Sequence, residues 1–254
     1  MEPKTILLTN DDGIHSEGIR VLADFLAEVA EVLVVAPDRE RNAASHALTL
    51  HKPLRMEEIR PKTYSVNGTP TDCVTLGVLH LLKRRPCLVV SGINKGGNLG
   101  DDVTYSGTVS AAFEGTLLGI PSVAVSQMGE KDFHFSTAAA FTARLARLVL
   151  ERGLEKDTLL NVNVPNLSPD RVQGVRFTSL GKRLFEGNGG VIEKIDPRGK
   201  KYYWIGVAGV KWADLGDTDD KAIAEGRISV TPLHLDLTQY RALEHLHTWE
   251  RDLS

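Results

Sequence analysis

Two rhythms of apolar and polar positions alternate along the N-terminal part of the chain. Short continuous apolar runs occur at Ile6-Leu7-Leu8, Val32 to Ala36, Cys87 to Val90, Ser122 to Val125 and Leu159 to Val164, and they are bounded by glycine, proline or polar residues. Runs of this length predict buried strands. Between them the apolar positions recur every three or four residues. Ser16 to Val29 places Ile19, Leu22, Phe25, Leu26 and Val29 at helical spacing, and Thr108 to Leu118 and Thr137 to Leu150 also read as helices. Thr69-Pro70-Thr71-Asp72 supplies a capping residue, proline at the first helical position and an acid in the first turn, so a further helix should run from there to about Leu82. Strands alternating with helices predict an α/β fold, a mostly parallel sheet covered by helices on both faces with right-handed crossovers.

After about residue 180 the rhythm changes. Lys182 to Val207 is rich in glycine and charge, and Asp196-Pro197-Arg198-Gly199 is a strong turn signal between Val191 to Ile195 and Tyr202 to Ile205. This reads as a long hairpin. Carrying Tyr202, Tyr203 and Trp204, it has more apolar surface than it can bury alone, and it is expected to pack on another subunit. Ile228 to Leu233 alternates as a strand, and Leu237 to Trp249 reads as a terminal arm.

Composition narrows the picture only slightly. A chain of 254 residues that is 42% hydrophobic can bury a substantial core. A net charge of -3 without a basic block argues against a grip on long nucleic acid. No apolar run approaches the roughly 20 residues of a membrane span, and the start lacks the apolar core of a secretory signal, so no membrane partner and a cytoplasmic location are expected. Cys73 and Cys87 lie in apolar segments and read as reduced core residues. His80 and His234 also lie in apolar contexts and read as core or interface residues.

The chemistry gathers where strands end, which is where ligands bind in open α/β sheets. Asn10-Asp11-Asp12-Gly13 follows the first strand. Asp-Gly is by itself a common turn pair, but two adjacent carboxylates repel each other unless a cation or a proton compensates, which marks a candidate site for a divalent metal. Pro37 to Ser45 follows the second strand. It offers Asn42 and Ser45 as neutral oxygen donors, and Arg39 and Arg41 to neutralise a phosphate or pair with the carboxylates, or it is an ordinary solvated loop. Ser91 to Asp102 follows the third strand with Asn94, Asn98 and spaced glycines that allow close approach of a ligand. It lacks the ending of a nucleotide P-loop, and the first strand lacks the dinucleotide fingerprint. Tyr105-Ser106-Gly107-Thr108 precedes a helix, where free amides and two hydroxyls suit an anion, or where Thr108 simply caps. The ligand candidates are oxygens and no histidines fall at a zinc spacing, so Mg²⁺ or Mn²⁺ is expected before Zn²⁺. No Gly-x-Ser-x-Gly elbow is present.

Taken in order, these segments resemble the survival protein SurE family of metal-dependent nucleoside monophosphate phosphatases. The resemblance rests on Thr9-Asn10-Asp11-Asp12-Gly13, Val35-Ala36-Pro37-Asp38-Arg39, Gly68-Thr69-Pro70-Thr71-Asp72-Cys73-Val74, Ser91-Gly92-Ile93-Asn94, Asn98-Leu99-Gly100 and Ser106-Gly107-Thr108-Val109. It continues through Asn161-Val162-Asn163-Val164-Pro165 and Ser229-Val230-Thr231-Pro232-Leu233. It implies one catalytic domain over residues 1–254, with a Rossmann-like core over 1–180 and a hairpin and C-terminal oligomerisation elements over 181–254. It also implies a homodimer with exchanged C-terminal segments, often a tetramer through the hairpin. The implied metal ligands are Asp11, Asp12, Asn42, where many relatives have Ser, and Asn94.

On that site, Asn98 and the Ser106-Gly107-Thr108 amides and hydroxyls would hold phosphate oxygens. Asp11, Asp12 and Asn98 would carry the chemistry, with an aspartate as base or as nucleophile. The expected reaction is hydrolysis of nucleoside 5'-monophosphates to nucleoside and phosphate, with 3'-monophosphates and polyphosphate as further candidate substrates. The alternative is a non-catalytic nucleotide- or anion-binding regulator. Such a protein gains little from two carboxylates beside an anionic ligand unless a metal is present.

Overall fold

Each apolar run becomes a strand of one nine-stranded sheet in the computed structural model, which describes residues 4–184, 191–205 and 211–254. The strands are β1 (Thr5–Thr9), β2 (Glu31–Pro37), β3 (Met56–Arg60), β4 (Thr63–Val66), β5 (Leu88–Lys95), β6 (Ser122–Gln127), β7 (Thr158–Val164), β8 (Val175–Phe177) and, late in the chain, Ile228–His234. Two short strands, β9 (Arg183–Leu184) and β12 (Lys211–Trp212), pair with each other. Between them lie the hairpin strands β10 (Ile192–Ile195) and β11 (Lys201–Trp204), and the late strand is therefore β13. The sheet order is β3-β4-β2-β1-β5-β6-β7-β13-β8. From β4 to β7 all neighbours are parallel.

The central strands are apolar throughout because both their faces are covered. In β1, Ile6 and Leu8 join the core beneath α1 (Glu17–Leu26), whereas Leu7 joins the core beneath α2 (Pro70–Leu76). In β2, Val34 and Ala36 face the first core, and Leu33 and Val35 the second. The helices α3 (Gly107–Leu117) and α4 (Phe135–Arg152) complete the two layers. Phe135, Leu145 and Val149 of α4 lie in the first core, and Ala111 of α3 in the second. The remaining helices are α5 (Asp219–Ala224), α6 (Tyr240–Leu246) and α7 (Glu250–Leu253). No helix among the described residues is long and apolar enough to cross a membrane.

The capping signal before α2 is fully realised. The Thr69 hydroxyl accepts from the Asp72 N–H at 3.1 Å and the Asp72 carboxylate accepts from the Thr69 N–H at 2.8 Å. The helix does not reach Leu82 as one α-helix, because Gly77–Leu81 continues it as a π-helical turn. β5 extends past its expected end at Val90, so Ser91 to Lys95 is strand and not loop. Ile93 is fully buried there and anchors the extension. β3, the charged run Met-Glu-Glu-Ile-Arg on the edge, arrives without a sequence signal, whereas β13 forms over the expected strand Ile228 to Leu233 and lies antiparallel to β7. His80 and His234 are both exposed, so neither is a core residue in this chain. Cys73 is buried and Cys87 half-buried, and both are free thiols.

The expected hairpin forms with Ile192 opposite Trp204 and Lys194 opposite Tyr202. Its expected span from Lys182 to Val207 falls partly outside the described residues. Trp204 is 60% exposed and Ile192, Tyr202 and Tyr203 are exposed with it. Leu237, Tyr240, Leu243, Leu246 and Trp249 of the terminal arm are exposed as well.

The first helix can lie against β5 only because residue 18 has no side chain. A Cβ there would stand 2.3 Å from the Ile93 carbonyl oxygen. Both groups are backbone, so helix and strand would have to separate. Gly18→Ala should therefore destabilise the protein by about 1–3 kcal/mol, measured by urea unfolding; an unchanged midpoint would contradict this packing.

Candidate active site

The switch of strand order beside β1, with β2 on one side and β5 on the other, opens a crevice at the strands' carboxyl ends. Asp11 and Asp12 follow β1 directly into it. Gly13, at φ +91, turns the chain there, and a side chain at this position would meet the Arg39 backbone at 2.9 Å. The Asp11 carboxyl is only 4% exposed. It accepts from the Thr108 hydroxyl and, at 3.2 Å, from the Thr108 N–H in the first turn of α3. Gly107 makes room for it, since a Cβ there would stand 3.0 Å from the Asp11 side chain. Burial pushes the Asp11 pKa up to about 6; the Thr108 hydroxyl opposes this and the neighbouring Asp12 charge adds to it. Asp12 is raised as well, chiefly by burial, with the Lys95 N–H and charge acting the other way. The Asp12 carboxylate accepts from that N–H at 3.1 Å.

Asp11, Asn42, Asn94, Asn98 and Ser106 line one cavity of about 250 Å³. Five of the residues singled out in the sequence, carried by four different loops and strands, thus converge. Lys95, Asp102, Tyr105 and Ala43 share the lining and were not singled out as site residues. Lys95 and Tyr105 flank assigned residues in the chain, but nothing in the sequence says which neighbour faces inward. Thr108 lies outside the lining, and both its donors go to Asp11 in place of the open cavity. Ser106 caps α3, its hydroxyl oxygen accepting from the Val109 N–H at 3.1 Å. Ser45 is turned away: its hydroxyl donates to the Thr104 carbonyl at 3.0 Å. Arg41 does not pair with the aspartates. Its guanidinium reaches Asp38 at 3.3 Å and the Asn67 carbonyl at 3.1 Å, while its backbone N–H donates to the Asp11 carbonyl at 2.8 Å.

The 3₁₀ turn Gly100–Thr104 contributes Asp102 to the cavity lining. Asp219 holds the turn: its carboxylate accepts from the N–H groups of Gly100 at 2.9 Å, Gly181 at 2.7 Å and Asp220 at 2.9 Å. Lys182 pairs with Asp101 and Arg183 with Asp102, each at 2.9 Å. The turn is therefore fastened to the segment that leads into the hairpin.

The donor set suits a hard divalent cation. The Asn94 Nδ2 donates to the Gly96 carbonyl at 2.9 Å and the Asn42 Nδ2 donates to Glu40. No donor among the described residues is recorded on either amide oxygen, so both oxygens remain available beside a carboxylate that burial has made hard to ionise. Among the described residues no three His, Cys, Asp or Glu side chains gather as a metal site, so a cation here would rely on the amide oxygens beside the two aspartates.

With chelator present, ionised Asp11 should cost the fold stability. Its folded pKa lies above the unfolded value near 3.8, so its favourable contribution is complete below that value and is lost as pH rises through about 6. Asp11→Asn removes the charge, and the Thr108 hydroxyl can turn to accept from the new amide. In EDTA at pH 7.5 the variant should be more stable than the parent by about 2–3 kcal/mol, with the advantage shrinking towards pH 4. Equal unfolding midpoints at pH 7.5 would contradict the buried charge.

Three comparisons agree with this geometry. The family described as "Survival protein SurE" matches residues 6–187. A 5'-nucleotidase SurE of Geobacter metallireducens is 57% identical over 247 residues, covering 96% of this chain and 97% of that protein. That of Geobacter sulfurreducens is 56% identical over 246 residues, covering 96% and 93%. The crystal structure of the SurE protein from Aquifex aeolicus superposes with a TM-score of 0.87 at 43% identity, covering 97% of this chain and 99% of that one. With the paired aspartates, the asparagine-lined cavity and the parallel sheet already in place, these matches establish that the chain belongs to the SurE family.

Proposed function

We propose that this chain is a divalent-metal-dependent 5'-nucleotidase that hydrolyses nucleoside 5'-monophosphates to nucleoside and phosphate. The observation that carries the reading is Asp11, a buried carboxyl next to a second carboxylate, in a cavity lined also by a further acid, Asp102, by one base, Lys95, and by amide and hydroxyl groups. A bare anion would be repelled there, whereas a cation shared with a phosphate relieves both charges. This weighs against a regulator that binds an anion alone. The relatives named 5'-nucleotidase SurE cover nearly the whole chain and support the same reaction.

Asp11, Asp12, Asn42 and Asn94 would hold the metal, with Mg²⁺ or Mn²⁺ best suited to oxygen donors. Bound there, it would screen the phosphate charge and make phosphorus more electrophilic. The Asn98 amide and the Ser106 hydroxyl would orient the phosphate oxygens, and the Lys95 ammonium would add positive charge at the cavity. Gly107 and Thr108 would act differently from Ser106. Gly107 admits the Asp11 side chain, and Thr108 keeps the carboxylate aimed by two hydrogen bonds. The leaving group is an alcohol, so the products are an alcohol and inorganic phosphate. The cavity lies open at the exposed ring of Tyr105, which leaves 3'-monophosphates and polyphosphate within the proposed range.

The proposed working form is a cytoplasmic homodimer or tetramer, with residues 1–180 as the core of a single catalytic domain and 181–254 as its assembly elements. The exposed apolar side chains of β10, β11 and the terminal arm support it, because together they form more apolar surface than a lone subunit usually leaves in water.

Phosphate release from a panel of nucleoside monophosphates and polyphosphate, with and without Mn²⁺ or Mg²⁺, tests the activity. Release should require the metal, and Asp12→Asn should lower it by at least ~10²-fold; metal-independent turnover, or parental turnover by the variant at subsaturating metal, would overturn the assignment. Replacing Tyr202 and Trp204 together by Ser should lower the mass seen by light scattering, and an unchanged mass would remove the hairpin from the assembly.

A further inference from the structure

The segment Asn161-Val162-Asn163-Val164-Pro165 supplies none of the groups that line the cavity, yet two of its side chains grip one that does. The Asn163 amide meets the backbone of Asn98 at both polar groups. Its Oδ1 accepts from the Asn98 N–H at 2.8 Å, and its Nδ2 donates to the Asn98 carbonyl at 3.0 Å. The Asn161 Nδ2 donates to the same carbonyl at 2.9 Å, filling its second lone pair. The Asn98 side chain is fixed in turn by the Ser126 hydroxyl, which accepts from Nδ2 at 2.7 Å. Asn161, Asn163 and Ser126 are all completely buried.

The sheet register brings these groups together. Ser126 is paired with Asn163 across β6 and β7, Asn163 with Ser229 across β7 and β13, and Asn94 with Ser126 across β5 and β6. Polar side chains thus cross four strands in one rung, with Asn94 at its cavity end. Gly97 lets the loop settle onto this rung, since a Cβ there would stand 2.1 Å from the Met128 sulfur and 3.4 Å from the Asn163 Oδ1. Stability alone does not account for the arrangement. The Asn161 Oδ1 and the Ser229 hydroxyl are buried with no hydrogen-bond partner among the described residues, a cost that apolar side chains would avoid.

We propose that Asn163, assisted by Asn161, is a positioning residue for Asn98: its side-chain amide fixes the backbone of residue 98 and so sets where the Asn98 amide meets the substrate phosphate. The proposal rests on the reading of Asn98 as a phosphate contact given above. Asn163 itself does not line the cavity. Its effect is one of placement, and a shift of about 1 Å in such a group can cost on the order of 10²-fold in rate.

A double-mutant cycle on the metal-loaded enzyme tests this. Asn98→Ala and Asn163→Ala should each lower kcat/KM for a nucleoside monophosphate, Asn163→Ala by roughly 10- to 100-fold. The double variant should be no worse than Asn98→Ala beyond about threefold, because the second change then has nothing left to position. Inorganic phosphate should inhibit Asn163→Ala more weakly than the parent, while the half-saturating Mn²⁺ concentration stays the same. Losses that multiply in the double variant, or a changed Mn²⁺ requirement, would overturn the proposal by showing a general structural role. Parental activity of Asn163→Ala beside an impaired Asn98→Ala would overturn the proposal alone. Parental activity of Asn98→Ala would overturn the reading of Asn98, and the proposal with it. Should Asn163→Ala not fold, Asn161→Ala removes one donor and keeps the Asn163 pair; its smaller loss should likewise vanish in the Asn98→Ala background, and persistence there would overturn the proposal.

Discussion

A carboxylate that must stay buried next to another carboxylate is the constraint around which this protein is arranged. Asp11 sits at the end of the central strand with almost no access to water. Apart from Asp12, the neighbours that accommodate it are donors or space-makers. Thr108 gives a hydroxyl and an amide from the first turn of α3, and Gly107 leaves the volume. The N-terminus of that helix adds the favourable end of its dipole. The loop after β2 is drawn in from the other side, where the Arg41 N–H donates to the Asp11 carbonyl. These contacts reduce the cost of the charge without cancelling it, as the upward pKa shift records. On the proposed reading, a cation at this point would complete what the fold leaves undone.

Much of the framework was legible in the sequence because it depends on local rules. Ile6-Leu7-Leu8 is continuously apolar since alternate residues enter two different cores, and the Thr69 to Asp72 capping box is a contact among near neighbours. The parts that stayed hidden depend on distant partners. β3 is an edge strand with mostly exposed, charged positions and no core pattern to betray it. β13 was legible as a strand, but its antiparallel pairing with β7 was not. In the site, the ordered clusters named residues that the fold brings to one cavity, but residue type does not reveal which way a polar group is aimed. Thr108 had the chemistry of a phosphate donor and is committed to Asp11, and Arg41 had the chemistry of a charge partner and is committed to Asp38 and Asn67.

Polar burial recurs one level further back. Ser126, Asn161, Asn163 and Ser229 are buried in strands whose other residues are largely aliphatic. The hydrogen bonds of Ser126, Asn161 and Asn163 run towards the loop that carries Asn98. The apolar layers above and below the sheet hold the strands in register. The polar rung inside it translates that register into the placement of cavity groups. A stiff sheet is the part of an α/β protein least able to move, so groups referenced to it inherit its rigidity.

The Asp219 carboxylate joins regions that are otherwise far apart in the chain. Gly100, at the start of the turn that carries Asp102, and Gly181, at the root of the hairpin segment, both donate to it. Opening either one strips a hydrogen bond from the same buried anion and weakens its hold on the other. The two segments therefore belong to one cooperative unit of opening, and their amides should trade hydrogen for deuterium with a common free energy although roughly eighty positions separate them in sequence. Subunit contacts that protect the hairpin root would slow exchange at Gly100 as well.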